Sequence, residues 1–124
     1  LTQIDYEREM ALVATAPGPD GAEETLGTVR AVADPDNHDA EFGILVRSDL
    51  KGKGLGRLLM NAMIDHLKRR GTKRLVATVL NENAEMLALG RALGFRPDAK
   101  LADGDGLAGI ALELQPGAAT APVR

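Results

Sequence analysis

Residues 45–57 read LVRSDLKGKGLGR, and this stretch decides the fold. An apolar strand end runs into three alternate glycines, Gly52, Gly54 and Gly56, interleaved with Lys51, Lys53 and Arg57. Leu55, Leu58, Leu59, Ala62, Met63 and Leu67 then recur at helical spacing, and Gly71 follows the basic run Lys68, Arg69 and Arg70 as a stop. A glycine-rich turn at the head of a helix is a cradle for an anion. Glycines take positive φ and let a ligand approach the backbone, while the first helical turn offers unpaired N–H groups and the positive end of its dipole. Arg47, Lys51, Lys53 and Arg57 face Asp49 alone across this stretch, and cations at a helix N-terminus oppose the dipole, which favours a bound anion.

Spacing narrows the anion. A nucleotide-triphosphate loop needs a Lys followed by Ser or Thr, and no such pair occurs. A dinucleotide fingerprint needs glycine where Arg57 stands and an acidic residue closing the next strand, and Arg74 to Leu80 ends without one. A short turn cradling a pyrophosphate remains.

Working outward, strands are expected at Glu9 to Thr15, Thr25 to Ala33 and Ala40 to Val46, an antiparallel meander with the turn 34–37 (Asp, Pro, Asp, Asn). A strand at 74–80, a helix at 83–93 ended by Gly94, and a strand from Leu107 to Leu114 follow. Asp103 to Gly106 reads as a hairpin turn, too short for a calcium loop. The class is α/β (α+β): a mixed, mostly antiparallel sheet flanked by helices, one domain over 1–115 with a loose tail at 116–124.

Composition sets the bounds. A chain of 124 residues buries roughly two thirds of its unfolded surface, enough for one core. With Tyr6, Phe42 and Phe95 as its aromatics, that core must be aliphatic. No apolar run long enough to span a membrane and no signal peptide are seen, so a cytoplasmic location without membrane association is expected. A net charge of −3, without basic residues grouped among aromatics, argues against nucleic acid. No cysteine means no disulfide and no acyl-cysteine intermediate, and no His, Asp or Glu spacing points to a metal. His66 reads as a packed or surface side chain of the long helix.

The runs Ala40 to Arg57 and Asn83 to Phe95 resemble the acetyl-CoA-binding core of the GNAT acyltransferases, a resemblance that extends over residues 9–115. More narrowly, residues 34–37, Glu41, Phe42, Leu45 to Gly56 and Met86 to Leu89 resemble the GNAT domain of bacterial protein lysine acetyltransferases acting on acyl-CoA synthetases. The resemblance implies a GNAT fold and acetyl-CoA as acyl donor. It places the backbone of Ile44, Leu45 and Val46 on the pantetheine amides, and Lys51, Gly52, Lys53, Gly54, Leu55, Gly56 and Arg57 on the pyrophosphate. Asn83 would touch the pantetheine arm, besides capping its helix.

Two positions depart from the family pattern. Gly90 stands where many members carry a tyrosine that protonates the leaving thiolate, and Lys51 stands where Arg or Gln is usual. The usual first strand and helices before residue 9 are expected to be lacking, which reads as the core of a larger multidomain chain whose exposed surface a homodimer would cover.

A lysine acceptor must lose a proton, since near pH 7 roughly one molecule in a few thousand is neutral. Glu41 is the candidate base, flanked by Ala40 and Phe42 where partial desolvation would strengthen it; the resemblance implies the same role, directly or through water. A solvent-facing strand-end carboxylate is the plain alternative, and His38 is a second candidate. The expected function is acetyl transfer to a protein lysine of an acyl-CoA synthetase. Acetylation of a small amine and a non-catalytic acyl-CoA-binding regulatory module are the alternatives.

Overall fold

The computed structural model describes residues 2–5, 8–102 and 104–114. Tyr6, Asp103 and the expected tail at 116–124 lie outside them. Along the chain come β1 (Thr2–Asp5), β2 (Glu9–Pro17), β3 (Glu23–Ala33), β4 (Asp39–Val46), α1 (Leu55–Arg70), β5 (Arg74–Leu80), α2 (Ala84–Leu93), β6 (Arg96–Pro97) and β7 (Leu107–Glu113). Short 3₁₀ turns span Ser48–Leu50 and Ala99–Leu101. The strands form one sheet in the order β1-β2-β3-β4-β5-β7-β6, antiparallel except where β4 meets β5.

Alternation decides what each strand buries. Met10, Leu12 and Ala14 of β2, Val29 and Ala31 of β3, and Ala40 and Phe42 of β4 point to one face. Leu75, Ala77 and Val79 of β5 and Ile110 of β7 continue it. Helix α1 lays Leu59, Met60, Met63, Ile64 and Leu67 against that face, and Met86, Leu87, Leu89 and Leu93 of α2 join the same cluster. Leu58, which the spacing placed in the stripe, is 55% exposed at its margin. The Phe42 and Phe95 rings meet at 5.6 Å and 60°, the one aromatic pair among the described residues, in a core otherwise built from Leu, Met, Val, Ile and Ala.

Helix α1 stops as expected: Gly71 is left-handed at φ +83°, and its N–H donates to the carbonyls of Leu67 and Lys68. None of the described helices is long and apolar enough to cross a membrane.

Two strands were not expected. β1, paired through Thr2–Asp5 with Met10–Val13 of β2, corrects the reading that no strand precedes residue 9. With Ile4 as its sole apolar residue, it shows no hydrophobic alternation. β6 is a two-residue edge on β7, containing Pro97.

The feature that matters most for function is where pairing stops. β3 follows β4 from Ala33↔Ala40 to Gly27↔Val46, and β7 follows β5 to Leu80↔Leu107. Between them, β4 and β5 pair at three positions, Asp39↔Arg74, Ala40↔Leu75 and Glu41↔Val76, and then diverge. The sheet is therefore two half-sheets, β1 to β4 and β5 to β6, joined at a vertex and opening into a wedge.

Candidate functional site

Past Glu41 the edge of β4 that faces β5 has no strand partner among the described residues. A cleft of about 420 Å³ opens along it. Ile44, Leu45 and Val46 form one wall; Lys51, Gly52, Gly54, Gly56 and Arg57, at the head of α1, form the rim; and Asn83 stands at the head of α2. Lys53, which is exposed, and Leu55 do not line it. Leu55 packs inward instead, near Gly27: a Cβ there would crowd Leu45 O at 3.0 Å and Leu59 Cδ1 at 3.1 Å, with Leu55 Cδ2 in ordinary contact at 3.4 Å. Leu50, Glu85, Met86 and Leu89 complete the lining and were not anticipated. Met86 and Leu89 belong to the apolar stripe of α2, which periodicity alone assigns to the core.

Gly54 caps α1 in the left-handed region at φ +87°, with no side chain capping the helix, and its carbonyl accepts from Leu58 N–H at 3.0 Å. Gly52 is at φ +80°, and around both glycines a built Cβ meets nothing within 4 Å. The rim is thus open space bordered by backbone. The first turn of α1 carries no acidic residue, so its amides and dipole are left to an outside anion.

Arg47 is not part of this rim. Its Nε and Nη2 donate to Asp49 at 2.7 and 3.1 Å, and its Nη1 donates to Glu24 Oε1 at 3.2 Å. This pairing draws the Asp49 carboxyl below its ordinary value and raises the Arg47 guanidinium. The cations of the lining are Lys51 and Arg57, with Glu85 across from them on α2.

Asn83 caps α2 as the sequence led us to expect, its Oδ1 accepting from Met86 N–H at 3.2 Å. Replacing Asn83 by Ala should lower unfolding free energy by about 1 kcal/mol, read as a shift of the denaturant midpoint at unchanged slope.

Glu41 occupies the last position at which β4 pairs with β5, at the vertex of the wedge. It is exposed, not desolvated as expected: Ala40 and Phe42 point to the core face, and alternation turns Glu41 to the other. Val32, Leu45 and Leu80 lie exposed on that second face, at 47%, 76% and 53%. The His38 ring is held by Asp39, with Nδ1 2.5 Å from Oδ1. At Gly90 a Cβ would lie 3.2 Å from Ile110 Cδ1, so the position where the family pattern has a tyrosine is closed by packing against β7. Among the described residues no group of three or more His, Cys, Asp and Glu could hold a metal.

These features fit an acyl-CoA: an unpaired strand edge for the pantetheine amides, an apolar wall, and a basic glycine rim for phosphates. Comparison with known proteins agrees. The family model described as acetyltransferase (GNAT) family matches residues 3–95. An acetyltransferase of Pseudomonas aeruginosa is 33% identical over 95 residues, 77% of this chain and 50% of that protein, so the match spans about half of the relative's length. The L-methionine sulfoximine/L-methionine sulfone acetyltransferase of the same species is 40% identical over 55 residues, covering 44% of this chain and 32% of that protein. The ribosomal protein bS18-alanine N-acetyltransferase of Salmonella typhimurium is 43% identical over 54 residues, covering 44% and 36%.

Among solved structures, the GNAT domain of S. lividans PAT superimposes with a TM-score of 0.75 at 24% identity, over 90% of this chain and 64% of that one, a likeness of fold. The Salmonella typhimurium acetyltransferase yncA, solved with its cofactor acetyl-CoA, gives a TM-score of 0.68 at 25% identity, over 93% and 70%. Wedge, glycine rim and family match together place the chain in the GNAT acetyltransferase family, to which it belongs.

Proposed function

We propose that this domain transfers the acetyl group of acetyl-CoA to a lysine ε-amine of a protein, with an acyl-CoA synthetase as the acceptor suggested by the motifs at residues 34–37, 41–42, 45–56 and 86–89. The observation that carries the reading is the position of Glu41, at the vertex where β4 and β5 part and on the sheet face away from both helices. A thioester lying along the open edge of β4 supplies an electrophilic carbonyl near that vertex. The glycine rim and first-turn amides hold the phosphates, and Lys51 and Arg57 balance their charge.

Glu41 takes the proton that the amine loses as its nitrogen attacks the carbonyl carbon; the carbon–sulfur bond then breaks and the thiol sulfur collects a proton from water. A protein acceptor is favoured because the face bearing Glu41 presents exposed apolar side chains, Val32, Leu45 and Leu80, among the described residues. The relative that acetylates the alanine of a ribosomal protein supports a protein amine, whereas the one named for L-methionine sulfoximine supports a small amine as second reading.

Radiolabelled acetyl-CoA offered together with an acyl-CoA synthetase, a lysine peptide and free amino acids separates them. Label on a lysine of the synthetase is the expected result. Label confined to free amino acids would move the assignment to a small amine, and binding without any transfer would make the domain an acyl-CoA-binding regulator.

A further inference from the structure

We propose that Arg74, through its ion pair with Asp39, sets the opening of the wedge and so acts as a positioning residue for the acyl donor; this rests on reading the cleft as the acyl-CoA site. Arg74 stands at the start of β5, opposite Asp39 in the first of the three register positions that join the half-sheets. Its Nε and Nη2 donate to Asp39 Oδ1 and Oδ2 at 3.2 and 2.9 Å, a two-pronged bond across the vertex. Its Nη1 donates to Asp98 Oδ2 at 3.1 Å. The three side chains are partly buried, at 23%, 27% and 24% exposure for Arg74, Asp39 and Asp98. The Arg74 hydrogen bond is the leading cause that draws the Asp39 carboxyl below its ordinary value, so the pair stays charged near neutrality.

The two carboxylates differ in what they join. Asp98 belongs to the same half-sheet as Arg74: its N–H donates to Gly109 O at 2.8 Å, and its Oδ1 accepts from Lys100 N–H at 3.1 Å. Asp39 belongs to the other. Backbone bonds reinforce the vertex, with Lys73 N–H and Arg74 N–H both donating to His38 O at 3.0 and 2.8 Å. Asn37, left-handed at φ +57°, adds a second tie: its Nδ2 donates to Arg70 O at 3.0 Å, and its Oδ1 accepts from Thr72 Oγ1 at 2.7 Å.

Leverage makes this junction matter. From Asp39 to Val46 the strand runs about 23 Å at roughly 3.3 Å per residue, so a rotation of about 3° at the vertex moves the far end by about 1 Å. A ligand that bonds both to that edge and to the head of α2, which Asn83 N–H ties to Leu80 O of β5, does not keep both sets of hydrogen bonds through such a displacement. A loosened vertex therefore weakens donor binding without altering any residue that lines the cleft.

Asp39→Asn and Asp98→Asn test this as a pair, because each removes one carboxylate charge from Arg74 at similar exposure and only the first breaks the two-pronged bond between half-sheets; Asp39→Asn also loosens the His38 ring, so Arg74→Lys, which leaves that contact in place, is the control. Asp39→Asn and Arg74→Lys are expected to raise the dissociation constant for acetyl-CoA about tenfold, while Asp98→Asn lowers the melting temperature comparably but leaves affinity near that of the parent. A second readout needs no ligand. The chain has no cysteine, so Thr28→Cys with Leu80→Cys places two nitroxide labels across the wedge. Their distance distribution should broaden on adding Asp39→Asn and not on adding Asp98→Asn. Equal behaviour of the two variants in the distance measurement would overturn the proposal. A parent that binds no acetyl-CoA would instead sink the reading of the cleft, leaving the distances to decide on the clamp.

Discussion

Gly54→Glu is expected to raise the dissociation constant for acetyl-CoA at least a hundredfold, to the point where calorimetry records no heat at micromolar protein. Three effects combine. Gly54 is at φ +87°, where a residue with a side chain pays about 1–2 kcal/mol, so the rim loses part of its shape. Around it a built Cβ meets nothing within 4 Å, so the new side chain occupies the open space of the cradle without displacing protein atoms. Its carboxylate then stands against phosphate oxygens. The helix itself survives, because an acidic group at its N-terminus suits the dipole. A melting curve lowered by no more than the φ strain, together with absent binding, is the predicted pair of results; unchanged affinity would remove the phosphate rim from the site.

Glu41→Gln is expected to lower kcat by about 10²- to 10⁴-fold with the affinity for acetyl-CoA unchanged. Glu41 lies at the vertex and not in the lining of the cleft, and Gln preserves size and exposure, so neither donor binding nor strand pairing should respond. The loss should be smaller at high pH, where more of the acceptor amine is already neutral and needs no base. A variant that turns over like the parent would pass the role to His38 or to water. If parent and variant both bind donor and neither transfers acetyl, the regulatory reading gains.

How much of this was legible in the sequence depends on whether the information is local. The glycine turn, α1 with its Gly71 stop and the Asn83 cap are set by residues within a few positions of one another, and they stand where spacing put them. The wedge is a matter of which strands pair and for how long, which no periodicity encodes. Arg47 was counted among the phosphate cations although Asp49, two residues on, binds it twice; its third bond, to Glu24 in β3, lies 23 residues away and no local spacing shows it. The exposure of Glu41 was readable from strand alternation; its apolar neighbours misled because in a strand they face the other way. β1 and β6 escaped notice because neither has a hydrophobic pattern of its own.

The strand lengths carry one more consequence. Unpaired backbone edges invite neighbouring chains to add on, and long, flat ones seed aggregates. Here the sheet ends in a strand of four residues on one side and a strand of two residues, with a proline, on the other. Both are poor templates for intermolecular growth. The edge of β4 from Phe42 to Val46, which is the better template, opens into the cleft between the heads of two helices, so a neighbouring strand has to enter that cleft to add to it. The opening that makes the fold useful is thus also the place where its stickiest backbone is kept from other copies of itself.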